Sequence, residues 1–108
     1  TRIRVLCEGL DGTAAVTGSY PAWEYRRESP LRDVMVRVFA AQYGYEPKVQ
    51  AIHAGLECGL LSGKLPGLDA VSFGPDLKDI HTPRERMSIS SVARTWQYLT
   101  GVLKALKQ

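Results

Sequence analysis

The stretch SFGPDLKDIHTPRER, residues 72–86, decides how the rest of the chain is organised. It continues an apolar segment, residues 68–73, that is typical of an internal β-strand, and it breaks at Gly74-Pro75. After the break it carries His81 in a turn and leads into the last helix. In open α/β sheets, ligand-binding groups lie on loops just after the carboxyl ends of strands. His81 is therefore the first candidate ligand.

A second strand-and-turn unit lies upstream of this stretch. Residues 49–52 are predicted as a short strand that turns through glycine into a short helix, whose free backbone amides suit an anionic group. Two strands joined by a helix predict a right-handed parallel crossover, so the loops 53–59 and 74–86 should open on the same edge of the sheet. A plain strand-to-helix turn, with Glu57 favourably placed in the first helical turn, stays open as the alternative.

Two longer helices flank these units. Ser29 can cap the first helix, Pro30 suits its first position, and Gly44 ends it. The last helix is predicted to begin near residue 88. The apolar residues predicted to face the core are Leu31, Val34, Met35 and Val38 on the first helix and Val92, Trp96, Leu99, Leu103 and Leu106 on the last. The order over residues 26–108 is therefore helix–strand–helix–strand–helix with parallel strands, an α/β fold.

The first 25 residues have the pattern of another unit. The apolar residues within 3–10 recur with the spacing of an amphipathic helix, and residues 13–20 are β-prone. One helix and one strand do not form a core by themselves, so we predict a domain boundary after residue 25. The chain also begins with Thr1 rather than Met, which predicts that it was processed or cut from a longer protein.

The composition excludes several classes of protein. The chain has 108 residues, enough for one small domain, and no apolar run near the roughly 20 residues of a membrane-spanning helix. Its net charge is +3 and its Lys and Arg residues are scattered, which does not indicate a nucleic-acid or membrane partner. Cys7 and Cys58 lie far apart and outside any metal-binding spacing. Two reduced thiols in a cytosolic protein are favoured over a disulfide or a zinc knuckle.

Several stretches are specific enough to suggest a family. They are SYPAW (19–23), IHAGLECGL (52–60), SFGP (72–75) and HTPRER (81–86). Together they resemble the aminoacyl-histidine dipeptidases, also called peptidase D or Xaa-His dipeptidases, of the dinuclear zinc peptidase superfamily. The resemblance covers essentially the whole chain but only the C-terminal part of such an enzyme. It implies that residues 1–25 are the last helix and strand of an inserted α+β lid domain with a linker, and that residues 26–108 are the C-terminal half of the catalytic domain.

The resemblance also implies roles for single residues. His81 matches the family's C-terminal zinc ligand, and Asp76 and Asp79 are both open candidates for fixing its tautomer. The residues that match the substrate-binding turn are His53, Gly55, Leu56 and Glu57. No residue of this segment matches a catalytic residue. One departure is Arg84, which stands where family members commonly carry an acidic residue.

Enzymes of this family hold two zinc ions per active site, with the other ligands and the general base in the N-terminal half. The full-length protein is therefore expected to be a cytoplasmic zinc dipeptidase that hydrolyses Xaa-His and other dipeptides by a zinc-activated water, and this segment alone is expected to be inactive. Its partners would be the dipeptide and the N-terminal half, with a homodimer as one way to cover exposed apolar surface. Two alternatives stay open: a stand-alone, non-catalytic peptide-binding or interaction module of the same fold, and a superfamily member with another substrate.

Overall fold

The computed structural model describes residues 1–52 and 57–107. Within them the elements are helices α1 (Arg2–Glu8), α2 (Pro30–Tyr43), α3 (Glu57–Lys64) and α4 (Ile89–Leu106), and strands β1 (Leu77–Lys78) and β2 (Arg86–Met87). The two strands pair antiparallel, with Leu77 opposite Met87 and Lys78 opposite Arg86. In this described part of the chain, no helix is long and apolar enough to cross a membrane.

Helix α2 begins and ends as its sequence predicts. The Arg32 amide donates a hydrogen bond to Ser29 Oγ at 3.1 Å, and Pro30 occupies the first helical position. Gly44 ends the helix with a φ of 78°, a left-handed conformation that glycine adopts without steric cost. The predicted start of α4 near residue 88 is also confirmed, and the Ser88 side chain caps the helix by accepting a hydrogen bond from the Ser91 amide.

The core of the described chain lies between α2 and α4. Met35 of α2 is buried against Tyr98 and Val102 of α4. The half-buried apolar residues packed around them are Leu31, Val38, Phe39, Tyr43 and Val71. The Tyr98 hydroxyl donates to the Met35 carbonyl oxygen at 2.9 Å, so the buried phenol has a partner. Burial, with a smaller effect from Tyr43, raises the pKa of Tyr98 above its ordinary value and keeps the donating proton in place.

The prediction for the buried face of α4 is wrong in this chain. The helix buries Tyr98 and Val102, whereas Trp96 is 65% exposed. Of the other residues predicted to face the core, Leu99 is half-buried and Val92, Leu103 and Leu106 are exposed. Helix α4 carries apolar residues on two faces, and periodicity does not say which of them contacts α2. Gly101 favours the observed face, because a Cβ there would lie only 3.1 Å from Val38 Cγ1 of α2.

The predicted strands are not confirmed in the described chain. Residues 13–20, 49–52 and 68–73 pair with no other described segment, and the two strands that do form lie within residues 77–87. The predicted helix–strand–helix–strand–helix order, with its parallel crossover and common sheet edge, is therefore not confirmed. A strand forms only where its backbone groups find a neighbour to hydrogen-bond. An apolar pattern identifies a segment that suits a strand but does not show that the neighbour is present.

Much apolar surface of the described chain is exposed, as the sequence predicts. The radius of gyration is 19.1 Å, well above the ~13 Å of a compact domain of about 100 residues. The apolar residues with more than three-fifths of their surface exposed are Ile3, Val5, Leu6, Leu10, Val16, Tyr45, Ile52, Ile89 and Trp96. Patches of this kind mark surfaces that pack against other protein.

Candidate functional site

His81 lies in the tight turn between β1 and β2. Its φ is 63° and that of Asp79 is 54°, both in the left-handed region that histidine and aspartate tolerate better than most residues. The Thr82 amide and hydroxyl donate to the Asp79 carbonyl oxygen at 3.2 and 2.7 Å. The His81 amide donates to Glu85 Oε2 at 3.0 Å. The turn is therefore held by its own hydrogen bonds, and it presents His81 as an exposed residue.

The hairpin formed by β1, β2 and the turn between them (residues 77–87) is anchored to α4 through Asp76, which precedes β1. The Asp76 amide donates to Ser91 Oγ at 2.9 Å, and the Ser88 amide donates to the Asp76 carbonyl oxygen at 3.0 Å. The Arg94 guanidinium lies 3.3 Å from the Asp76 carboxylate. Ser91 is only 3% exposed, so the anchor lies at the edge of the α2–α4 core. The turn that carries His81 is thus positioned by the helix that follows it.

The two aspartates considered for fixing the His81 tautomer each pair with an arginine instead. These exposed ion pairs measure 3.3 Å for Asp76 and 3.4 Å for Asp79. The described contact between His81 and a carboxylate is the one with Glu85, through the backbone amide rather than the imidazole. This contact is not among those predicted from the sequence. Its signal is a glutamate four residues after the histidine, across a turn that contains Thr-Pro.

Arg84 takes part in the turn through its backbone. Its amide donates to Thr82 Oγ1 at 3.2 Å, and the residue is exposed. A backbone amide is common to every residue except proline. The change from an acidic residue to Arg84 therefore leaves this contact of the turn available.

Of the predicted substrate-binding residues, Glu57 is the one that lies within the described part of the chain. The predictions for His53, Gly55 and Leu56 fall outside the described residues. Glu57 is exposed in the first turn of α3, where a carboxylate is favourable. Among the residues described, no hydrogen bond or ion pair joins Glu57 to His81. The structure does not bring these two predicted site residues into contact.

Helix α3 packs closely against the segment that contains Pro21. A Cβ added at Gly59 would lie 3.2 Å from the Pro21 carbonyl oxygen, and one added at Gly63 would lie 2.6 Å from Pro21 Cγ. The absence of a side chain at both positions allows the approach. Pro21 of SYPAW and Gly59 of IHAGLECGL therefore meet in space.

The N-terminus of α2 receives a carboxylate from a distant part of the chain. Ser29 Oγ donates to Asp69 Oδ1 at 2.7 Å, and the Leu31 amide donates to Asp69 Oδ2 at 3.0 Å. Burial raises the pKa of Asp69, but these two hydrogen bonds and the charges of Arg26 and Arg32 outweigh it, so the net pKa lies below its ordinary value. The charged carboxylate ties its segment to the start of α2.

A cleft of about 850 Å³ lies beside α2 and α4. Three chain segments line it, residues 22–26, 47–52 and 68–74, together with side chains of α2 and α4 and with Ser62 and Gly63 of α3. Two of these segments contain the residues predicted as strands. Neither Glu57 nor His81 lines the cleft, so it is separate from both predicted site residues.

His81 fits the role of a single metal ligand. It is exposed on a hydrogen-bonded turn, and a neutral imidazole is a good zinc ligand. Within residues 1–52 and 57–107, no group of three or more His, Cys, Asp or Glu side chains is placed to hold a metal ion.

Comparison with known proteins connects the chain to hydrolases, including dipeptidases. No family model matches it. The chain is 38% identical over 89 residues to the cytosol non-specific dipeptidase of Escherichia coli. This match covers 82% of the chain and 18% of that protein. It is 35% identical over 88 residues to a protein of Pyrococcus horikoshii named as a LysW-lysine/LysW-ornithine hydrolase. This match covers 81% of the chain and 26% of that protein.

A solved structure agrees with these sequence matches. The aminoacylhistidine dipeptidase from Vibrio alginolyticus matches with a TM-score of 0.75 and 37% identity, over 82% of this chain and 18% of that one. All three named proteins are hydrolases, and two are dipeptidases. The chain belongs to the aminoacylhistidine dipeptidase family, to whose C-terminal segment it corresponds, and the resemblance seen in the sequence is confirmed. It spans between a sixth and about a quarter of the length of the relatives it matches.

Proposed function

We propose that this chain is the C-terminal segment of a zinc-dependent dipeptidase that hydrolyses Xaa-His and other dipeptides. The names of two relatives support this specificity, since one is an aminoacylhistidine dipeptidase and the other a non-specific dipeptidase. The observation that carries the proposal is the position of His81. It is exposed on a hydrogen-bonded turn, in a stretch that resembles the family's metal-binding segment.

In this proposal His81 supplies one ligand of a two-zinc site. Two zinc ions, when bound, supply an activated water and stabilise developing negative charge. The residues proposed to receive the dipeptide are His53, Gly55, Leu56 and Glu57. The backbone amides of Gly55 and Leu56 are the proposed hydrogen-bond donors. No residue of this segment is proposed as general base. Hydrolysis therefore needs the rest of the enzyme, and the isolated segment should be inactive.

The N-terminal half of the same enzyme is the proposed partner of this segment. The chain covers 18% of the Escherichia coli relative. We assign residues 1–25 to the end of a lid domain with its linker, and residues 26–108 to the C-terminal half of the catalytic domain. Strands of the N-terminal half would then pair with residues 49–52 and 68–73 and fill the cleft between them. A homodimer would cover further apolar surface, and the relative's name supports a cytoplasmic location.

Zinc content and peptide hydrolysis, measured together, test the proposal. The complete gene product that carries this sequence should bind two zinc ions per active site and hydrolyse a Xaa-His dipeptide. The 108-residue segment alone should do neither. A complete gene product without zinc or turnover would contradict the proposal and favour a non-catalytic peptide-binding module.

The chain contains two histidines, which provide a matched pair of variants. His81→Ala should lose one zinc per active site and most of the activity. His53→Ala should keep both zinc ions and raise KM, since that residue is assigned to the substrate. A His81→Ala enzyme that keeps both zinc ions and full turnover would remove His81 from the metal site.

A second candidate is hydrolysis of an amide bond to lysine or ornithine at the same site. It is favoured by the 35% identity to the Pyrococcus horikoshii hydrolase. Comparing kcat/KM for Xaa-His, Xaa-Ala and Xaa-Lys dipeptides separates the two candidates. A preference for Xaa-Lys of tenfold or more, about 1.4 kcal/mol in transition-state binding, would favour the second.

A further inference from the structure

Glu85 contacts His81, the candidate zinc ligand, across the turn. Its Oε2 accepts a hydrogen bond from the His81 amide at 3.0 Å, which closes a ring across the turn. The acceptor carries a negative charge, and hydrogen bonds to charged acceptors are about twice as strong as those between neutral groups. The contact acts on the backbone of residue 81 and leaves both imidazole nitrogens available.

The backbone conformation of His81 is one that needs such support. Its φ of 63° lies in the left-handed region, which residues other than glycine seldom adopt, although histidine is among those that tolerate it best. The other contacts of the turn act on its neighbours: Thr82 bonds to Asp79, and Arg86 pairs with the Asp79 carboxylate. Among the contacts described for the turn, the one with Glu85 is made by residue 81 itself.

We propose that Glu85 is a positioning residue for His81, because its carboxylate holds the histidine backbone in the left-handed conformation from which the imidazole reaches the metal. This inference rests on the proposed function, in which His81 is a zinc ligand. Without the carboxylate, residue 81 relaxes towards negative φ, and its Cα–Cβ bond turns away from the direction fixed by the hairpin. Zinc ligation tolerates little displacement, so the cost falls on metal affinity rather than on folding.

Two substitutions separate the acceptor from the rest of the side chain. In the complete gene product, Glu85→Ala removes the acceptor and should weaken zinc binding by about tenfold, the lower end of the effects seen for groups that orient metal ligands. Glu85→Gln keeps an acceptor oxygen at the same place and should stay within about threefold of the wild-type affinity. Zinc affinity is measured by competition with a chromogenic chelator, so the readout does not depend on turnover.

The melting temperature of the zinc-free protein distinguishes positioning from a structural role. Glu85 is exposed, so Glu85→Ala should leave this temperature within about one degree of the wild type. Glu46→Ala, at another exposed glutamate outside the hairpin, is the matched control for both measurements. An unchanged zinc affinity in Glu85→Ala overturns the proposal, and so does a loss of affinity that comes with an equal loss of melting temperature in Glu85→Ala and Glu85→Gln alike.

The same titration on His81→Ala separates this inference from the function on which it rests. If His81→Ala loses one zinc and Glu85→Ala binds zinc as the wild type does, the inference fails and the proposed function stands. If His81→Ala binds zinc as the wild type does, the proposed function fails, and with it the inference.

Discussion

Replacing Asp69 with asparagine tests the long-range contact that holds the N-terminus of α2. The carboxylate accepts hydrogen bonds from Ser29 Oγ at 2.7 Å and from the Leu31 amide at 3.0 Å. Ser29 is 3% exposed, so water cannot easily replace a lost partner. Asparagine keeps the shape but has one acceptor oxygen in place of two and carries no charge. One of the two donors is therefore left without its partner.

The expected cost follows from two effects. A buried donor without a partner costs about 1–3 kcal/mol. Loss of an anion at a helix N-terminus costs about 0.3–1 kcal/mol. Since Asp69 itself is half-buried, the lower half of the first range and the lower part of the second apply, and together they give about 2 kcal/mol. This corresponds to a factor of about 30 in an equilibrium constant.

Hydrogen exchange at the Leu31 and Arg32 amides measures this change, because it reports opening of the start of α2. Both amides should exchange about 30-fold faster in Asp69→Asn than in the wild type. Asp33→Asn is the matched control. Asp33 is an exposed acidic residue in the first turn of the same helix, so its substitution should change exchange by about twofold.

The effect of Asp69 has a defined dependence on pH. The folded pKa of Asp69 lies below its ordinary value because the two hydrogen bonds and the neighbouring arginines outweigh the opposing effect of burial. Its stabilisation is therefore complete above the ordinary carboxyl pKa and is lost as the pH falls through the lowered folded pKa. The difference between wild type and Asp69→Asn should shrink over that acidic range. Equal exchange in the two proteins at neutral pH would refute the reasoning, as would a difference that acid leaves unchanged.

Two further substitutions test the other candidate site residue and the packing of α3. Glu57→Gln in the complete gene product should raise KM and leave kcat nearly unchanged, because Glu57 is assigned to substrate binding; a collapse of kcat at constant KM contradicts that assignment. Gly63→Ala should lower the free energy of unfolding by about 1–2 kcal/mol, since the clash with Pro21 outweighs the gain in helix propensity. The control in thermal unfolding is Gly74→Ala, because a Cβ added at Gly74 meets nothing within 4 Å. If the two variants are equally stable, Gly63→Ala does not clash with Pro21.

The sequence was sufficient to predict those parts of the structure that depend on residues close together in the chain. A capping serine followed by proline predicted the start of α2, and Gly44 predicted its end. The start of α4 near residue 88 and the turn that contains His81 were also predicted. Each of these depends on residues within one turn of one another. The family could be recognised for a related reason, because its motifs are short, contiguous stretches whose residue types can be read directly.

Only the tertiary structure decided which of several equivalent groups make contact. Helix α4 carries apolar residues on two faces, and the face that contacts α2 includes Gly101, where an added Cβ would lie 3.1 Å from Val38 Cγ1. Asp69 meets Ser29 across 40 residues of chain, and no local pattern predicts that pairing. The carboxylate that contacts His81 comes from Glu85, although Asp79 lies nearer in sequence. Such choices depend on how separate segments approach in space. For the same reason, the segments that suit strands remain unpaired where the described chain offers them no neighbour.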